Sequence, residues 1–255
     1  MKIIACIKQV PDSEAKVTAS GGQVSWGDAP LVINPFDEYA VEGALQQKEA
    51  TGATVTALCI GPESAKEALK HALAMGADEA ILVSDAALND LDTVGAAKVL
   101  AAAIQKIGAD MVVFGRQTLD NGAGLTPAQT ARVLGWPMLG LAGQIKVDGG
   151  SVQVERVLEE GRQSVKANMP AVLSVVQSIG EPRYPSFMGI RKASKANIPV
   201  WSLNDIGASA PAPMITRTEL MTPPVRDTAV EMIAGETPAE IAEKLADKII
   251  AEKVL

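Results

Sequence analysis

Apolar runs and helical stripes alternate along the first half of the chain. Lys2–Ile7 (KIIACI), Thr54–Ile60 (TVTALCI), residues 79–84 and Met111–Gly115 are apolar almost without interruption. Runs of this length predict strands covered on both faces, as in a parallel sheet. The segments between them follow the helical period. In residues 63–75 the stripe is Ala65, Ala68, Leu69, Ala72 and Leu73, small residues that let a helix lie close to a sheet. Pro62 opens this helix and Gly76 stops it. Asn34-Pro35 opens another that reaches about Glu49, with Asn34 as N-cap and Pro35 at the first helical position. Thr93–Ile107 and Thr126–Leu134 complete the helices of this half. Residues 17–24, with Gly21-Gly22 at the centre, predict a small hairpin.

This βαβα order predicts an α/β fold: a doubly wound, mostly parallel, Rossmann-like sheet with helices on both faces. In such sheets ligands bind beyond the carboxyl ends of the strands. Cys6, Ile60-Gly61-Pro62 and the loop 115–126 all fall at such ends. Three βα junctions are therefore expected to converge on one crevice.

The second half changes character. Residues 144–147, 151–157, 163–166 and 171–177 predict an antiparallel extension, with Asp148-Gly149-Gly150 as a turn. Residues 178–198 show little periodicity, and 204–236 are irregular and rich in Ala, Pro and Thr. Thr237-Pro-Ala-Glu240 then forms a capping box ahead of IAEKLADKIIAEKVL, a predicted amphipathic helix. A long irregular stretch ending in an isolated helix is expected to reach onto a partner. The expected division is an α/β nucleotide-binding domain over 1–203 and a C-terminal arm over 204–255.

Charge and rare residues narrow the function. The net charge of −7 argues against non-specific nucleic-acid binding, which needs an excess of Lys and Arg. No apolar run has the length of a transmembrane segment, and MKIIACIKQV lacks signal-peptide anatomy, so a cytoplasmic protein is expected. Cys6 and Cys59 both lie in predicted buried strands and make neither a disulfide framework nor a metal site. The single histidine, His71, lies beside a helical stripe and reads as a helix-surface residue, which leaves no triad and no histidine metal centre.

The loop GRQTLDNGAGLTPAQTARVLG, 115–135, joins a buried strand to a helix start and carries neither a Walker pattern nor GxGxxG. Gly122 and Gly124 permit close backbone approach and leave N–H groups free for an anion beside the helix dipole. Arg116 is its only cation, which suits a monophosphate or one end of a dinucleotide better than ATP. The simpler reading is that Thr126-Pro-Ala-Gln129 is a capping box serving its own helix. Asn34-Pro-Phe-Asp37 is a helix start that also presents an aromatic ring, either to the core or to a ring system at an interface. Ser20-Gly21-Gly22 resembles the opening of an ATP-pyrophosphatase loop, but the Asp expected next is absent and a hairpin turn is the reading kept. Residues 181–195 set Tyr184, Phe187 and Met188 beside Arg191, Lys192 and Lys195 in a Pro-broken loop, the composition of a docking knob.

Taken in order, CIKQVPD at 6–12, INPFDEYAVEGALQQKE at 33–49, ALAMGAD at 72–78, GRQ at 115–117, VLGWP at 133–137 and EPRYPSFMGIRKASK at 181–195 resemble the beta subunit of electron transfer flavoproteins over nearly the whole chain. The resemblance implies a sheet of the adenine-nucleotide alpha-hydrolase kind and an alpha subunit that carries most of an FAD site. It implies an electron carrier and not an enzyme, moving electrons from acyl-CoA or other flavin dehydrogenases to a quinone-linked oxidoreductase or another acceptor. It implies a structural AMP, with a second FAD in its place in electron-bifurcating members. Carried over, the adenylate contacts fall on Cys6, Asn34, Pro35, Phe36, Asp37, Ile60, Gly115, Arg116, Gln117, Asp120, Asn121, Gly122, Ala123, Gly124, Leu125 and Thr126, and the partner-docking residues on Tyr184, Phe187, Met188, Arg191 and Lys192. The apolar docking anchor, often a Leu, is Phe187 here, a flavin-edge Tyr is Ser13, and Phe36 remains to lie near the isoalloxazine. The loop departs from both family patterns. AMP-holding members often read Asn-Gln-Thr-Gly where Gly124-Leu-Thr-Pro127 stands, and bifurcating members read Asp-Gly-Asp-Thr-Ala-Gln-Val-Gly-Pro where DNGAGLTPA stands. Thr126 aligns without a gap and favours AMP. The reading outside the family is an adenine-nucleotide-binding enzyme or stress protein.

Overall fold

The apolar runs become the centre of one sheet. A computed structural model describes residues 1–89, 91–215, 218–222 and 229–253. Its main sheet has strands β1 (Lys2–Ile7), β2 (Thr54–Ile60), β3 (Glu79–Val83), β4 (Met111–Gly115), β5 (Met138–Asp148), β6 (Ser151–Leu158), β7 (Gly161–Asn168), β8 (Ala171–Val175) and β9 (Val200–Trp201). Their order across the sheet is β7-β6-β5-β8-β4-β1-β2-β3-β9. Every pairing from β5 through β8 to β9 is parallel; β5, β6 and β7 form the antiparallel extension.

Helices α1 (Pro35–Thr51), α2 (Lys66–Met75), α3 (Thr93–Ile107) and α4 (Thr126–Leu134) cover both faces. Alternate residues of β1 face opposite ways. Ile3 and Ala5 pack with Val41 and Leu45 of α1 and Leu69 of α2. Ile4 packs with Val99 and Ile104 of α3 and Ala131 of α4. Winding runs from β1 out to β3, then α3 returns the chain to β4 on the other side of β1. The loops after β1 and β4 therefore leave toward opposite faces, the arrangement at which α/β sheets form a binding crevice.

Residues 171–177 were expected to join the antiparallel set. The structure instead inserts β8 parallel between β4 and β5. All five of its residues are buried, which is the pattern of a strand covered on both faces and not of an alternating hairpin strand. The hairpin near residue 20 forms as expected, with Thr18–Ser20 paired to Gln23–Ser25 across Gly21 and Gly22 at positive φ. The aperiodic stretch 178–198 contains a short helix, α5 (Phe187–Ala193), capped by Ser186, whose hydroxyl accepts from Gly189 N–H at 2.9 Å.

Beyond β9, Leu203 and Ile206 are still buried in the core. The chain then follows the surface. Asp92, which caps α3 through Gly95 N–H at 2.7 Å, also accepts from the N–H groups of Met214 and Ile215. Thr222 exchanges hydrogen bonds with Ala19 of the hairpin. The last helix, α6 (Pro238–Ala251), is capped by Thr237, but Glu240 reaches back to Glu236 N–H, so the box closes one residue early. Among the described residues of α6 none is buried; Leu245 and Ile250 are exposed, while Ile241 and Ile249 are half-buried.

The two kinds of leucine separate in a stability measurement. Leu173→Ala, at the centre of β8, should cost about 2–5 kcal/mol in urea unfolding of the chain. Leu245→Ala on α6 should stay within about 0.5 kcal/mol in the same measurement.

Candidate functional site

The crevice is built around a close approach. At the end of β4, a Cβ on Gly115 would lie 2.5 Å from both Phe36 O and Asp37 Oδ1. Only glycine lets the first turn of α1 press so near to the strand. Asn34 was expected to cap α1 with its side chain. Pro35 does open the helix, but the Asn34 side chain makes no cap bond. It is fully buried and turns to the loop after β4, where Nδ2 donates to Gln117 O at 2.9 Å and Oδ1 accepts from Leu119 N–H at 3.1 Å. These two bonds satisfy backbone groups of the loop, a demand that outweighs the cap. Asn34 N–H donates to Lys8 O, and Lys8 N–H donates to Asp37 Oδ2, both at 2.8 Å. The exit of β1, the start of α1 and the exit of β4 are thus laced together.

The remaining predicted residues spread along the same sheet edge. Cys6 is adjacent to Phe114 across the β1–β4 pairing, and its side chain is buried in the α3–α4 face. Burial, with Asp37 nearby, pushes its thiol well above the ordinary range. Cys59 packs on the opposite face with its thiol pushed up by burial to about 12, so the two thiols do not meet. Ile60 ends β2, half-buried, with no hydrogen bond to the loop after β4. Phe36 is half-buried and lines a cleft of about 90 Å³ with Tyr39, Arg116, Val175, Val176 and Gln177. His71 sits on the helix surface, with Nε2 2.8 Å from Glu38 Oε1.

The loop itself is exposed from Leu119 to Leu125. Gly122 and Gly124 both take positive φ, at 67° and 62°. Asn121 Oδ1 accepts from Ala123 N–H at 3.0 Å, and Gly122 N–H donates to Thr118 O at 2.8 Å. The expected capping box at Thr126 does not form. Thr126 is the first residue of the helix and not its cap; Leu125 holds the cap position in a helical conformation, and no side chain caps α4. Helices α3, α5 and α6 each have a side-chain cap. The first N–H groups of α4 are left for something else. Gln129 Oε1 and Thr130 Oγ1, on the same helix, are buried with no protein partner. Glycines at positive φ before an uncapped helix start are a donor set that fits a phosphate.

Lys8 was missed from sequence. Its Nζ lies 2.5 Å from Asp120 Oδ2, so a cation stands at the loop although the loop contributes only Arg116. The available signal was its place one residue beyond β1, at the strand edge where Cys6 had already been singled out.

The loop expected to dock presents Tyr184, Phe187 and Met188 at 92%, 80% and 69% exposure. Arg191 and Lys192 are exposed in the last turn of α5. Both ends of the knob are anchored. Arg183 gives Glu42 three hydrogen bonds, from N–H at 3.2 Å, Nε at 2.8 Å and Nη2 at 3.0 Å, and reaches Glu49 with Nη1. Burial alone would push the Glu42 carboxyl up, but Arg183 holds it below the ordinary range. At the other end a Cβ on Gly189 would collide with Ala74 O, so α5 is pressed onto α2. These anchors join residues more than a hundred positions apart and carry no local pattern.

A family model described as "Electron transfer flavoprotein domain" matches residues 26–206. The chain belongs to the electron transfer flavoprotein family. It is 33% identical over 271 residues to the electron transfer flavoprotein subunit beta of Megasphaera elsdenii, covering all of both chains. It is 35% identical over 263 residues to the caffeyl-CoA reductase-Etf complex subunit CarD of Acetobacterium woodii, again over all of both. To the electron transfer flavoprotein subunit beta of Bacillus subtilis it is 31% identical over 255 residues, 99% of this chain and 98% of the other. The chain is accordingly a flavoprotein subunit of the beta kind, an electron carrier and not an enzyme. None of its described helices is long and apolar enough to cross a membrane.

In this flavoprotein subunit Asp37 is the titratable centre of the lacing. Burial raises its carboxyl from 3.8 to about 7, against the opposing pull of Asn34, Lys8 and Gly115 donors and the Lys8 charge. A raised acid favours the protonated folded state. The stability it contributes is complete below about pH 4 and lost as pH rises through about 7. Asp37→Asn cannot ionise and should flatten the slope of melting temperature against pH across that window. An equally steep slope in the variant would assign the titration to another group.

Proposed function

We propose that this chain is the beta subunit of a heterodimeric electron transfer flavoprotein with an AMP in the crevice at the ends of β1, β2 and β4. Its alpha subunit holds most of the FAD. The pair takes electrons from acyl-CoA or other flavin dehydrogenases and passes them to a quinone-linked oxidoreductase or another acceptor. The observation that carries the nucleotide reading is the uncapped start of α4 behind two glycines at positive φ. FAD, when bound, supplies the redox chemistry, and the protein supplies position and exposure.

In this reading the phosphate meets the N–H groups at the head of α4 and the Thr126 hydroxyl. Asn34 holds the loop in place from beneath. Phe36, at the edge of its cleft, faces the ring system of the partner-held flavin. Tyr184, Phe187 and Met188 form the apolar core of a docking contact, and Arg191 and Lys192 steer acidic surfaces toward it. The arm over 204–255 lies on the alpha subunit, which would cover the outward apolar side of α6. AMP in this role is structural and stabilises the native state by binding to it alone.

A second reading places FAD in the same crevice. The similarity to a subunit named for a caffeyl-CoA reductase-Etf complex favours keeping it. Acid extraction of the purified heterodimer decides between them. One FAD and one AMP per heterodimer is the expected count. Two FAD and no AMP would replace AMP by a second flavin, and no adenine nucleotide beyond the alpha-held FAD would overturn the crevice assignment.

Docking is tested separately. Phe187→Ala should slow reduction by the partner dehydrogenase by about tenfold or more, the effect of losing an interface hot spot, with the absorption spectrum of bound FAD unchanged. An unchanged rate would remove Phe187 from the anchor role.

A further inference from the structure

The glycine loop is tied down from beneath as far as Leu119, through the two hydrogen bonds of Asn34. Past that point its support thins. Among the described residues, the only hydrogen bond that reaches residues 120–125 from outside the loop and its helix is Lys8 Nζ to Asp120 Oδ2 at 2.5 Å. The other bonds there are internal, from Asn121 to Ala123, from Gly122 to Thr118 and from Gln129 to Leu125. A segment with two glycines at positive φ has much conformational freedom to lose on binding. One tie then decides whether that freedom is lost before the ligand arrives or on its arrival.

Lys8 is suited to be that tie. Its backbone is held on both sides, N–H to Asp37 and C=O from Asn34, so its side chain starts from a rigid point. Asp120 brings a second consequence. Its carboxylate lies in a loop proposed to receive an anion, and alone it would repel that anion. Paired with an ammonium, it does not. The pair is part-exposed, with side chains 42% and 30% accessible, so its effect on global stability is small. Its effect belongs to the local order and charge of the loop.

We propose that Lys8 and Asp120 form a clasp that sets the glycine loop in its nucleotide-receiving shape and neutralises the carboxylate facing the phosphate. Lys8 is thus a positioning residue of the site. This rests on the reading that the crevice takes an adenine nucleotide.

The test is calorimetric titration of AMP into the nucleotide-stripped complex of the full chain with its alpha subunit. Lys8→Gln should weaken AMP about tenfold, equivalent to about 1.4 kcal/mol. Asp120→Asn should weaken it less, because it removes the repelling charge together with the tie. The double variant Lys8→Gln/Asp120→Asn should bind no more weakly than Lys8→Gln alone, as coupled residues do. Exchanging the charges, Lys8→Asp with Asp120→Lys, should restore most of the affinity. Melting temperatures of the nucleotide-free variants should stay near the parent value, as expected for a part-exposed pair, so that the loss appears in AMP affinity and not in stability. Losses that add in the double variant, or a Lys8→Gln protein that binds AMP as well as the parent, would overturn the clasp alone. A parent complex that binds neither AMP nor FAD in the crevice would overturn the nucleotide reading and the clasp with it.

Discussion

The site depends on how closely the first turn of α1 approaches the end of β4. At Gly115 there is no room for a side chain between the strand and Phe36 and Asp37. That contact places a buried carboxamide and a buried carboxylate, Asn34 and Asp37, where two chain segments leave the sheet in opposite directions. Each polar group is costly to bury and each is satisfied by backbone donors or acceptors of the segments it joins. A polar network in the crevice thus specifies one geometry for the loop, while the apolar layers on either side of the sheet supply most of the stability.

The helix ends divide into two kinds. Those of α3, α5 and α6 are closed by their own side chains. Those of α1, α2 and α4 have no side-chain cap; α2 is led in by the 3-10 turn Glu63–Ala65, while α1 and α4 follow the loops that leave β1 and β4. A helix start that leaves its N–H groups unused gives up part of the stabilisation a cap would add and keeps a positive pole open for a ligand. That is the physical link between a local irregularity in capping and the binding role proposed for the family's nucleotide.

Two exposed apolar surfaces differ in how they are held. The knob at Tyr184, Phe187 and Met188 is fixed at both ends, by Arg183 on α1 and by the contact of Gly189 with α2. A knob held at both ends would lose little entropy in the docking role proposed for it. Helix α6 is instead tied to the segment just before it, by Lys244 on Ala234 O and by Lys248 on Glu231. Helix α1 contributes to both regions, beginning beside the end of β4 and carrying Glu42 and Glu49 toward the exposed knob through Arg183.

Much of the fold was legible in the sequence because its signals are local. Continuous apolar runs marked β1, β2 and β4, Gly76 ended a helix, and Gly21-Gly22 turned a hairpin. The order of motifs carried the family. The order of strands in space was not local, and β8 shows it: its apolar run identifies a buried strand, but only packing on both faces decided that it lies parallel between β4 and β5. Side-chain partnerships were hidden for the same reason. Asn34 and Thr126 stand where capping residues stand, and the sequence signal for a cap cannot register that a neighbouring loop competes for the same amide or that Thr126 is itself the first residue of its helix. Lys8 meets Asp120, and Arg183 meets Glu42, across separations of 112 and 141 residues. The sequence by itself determined which segments are strands and helices and to which family they belong. The tertiary structure alone decided which polar groups meet, because burial forces each one to find a partner wherever the fold brings one within reach.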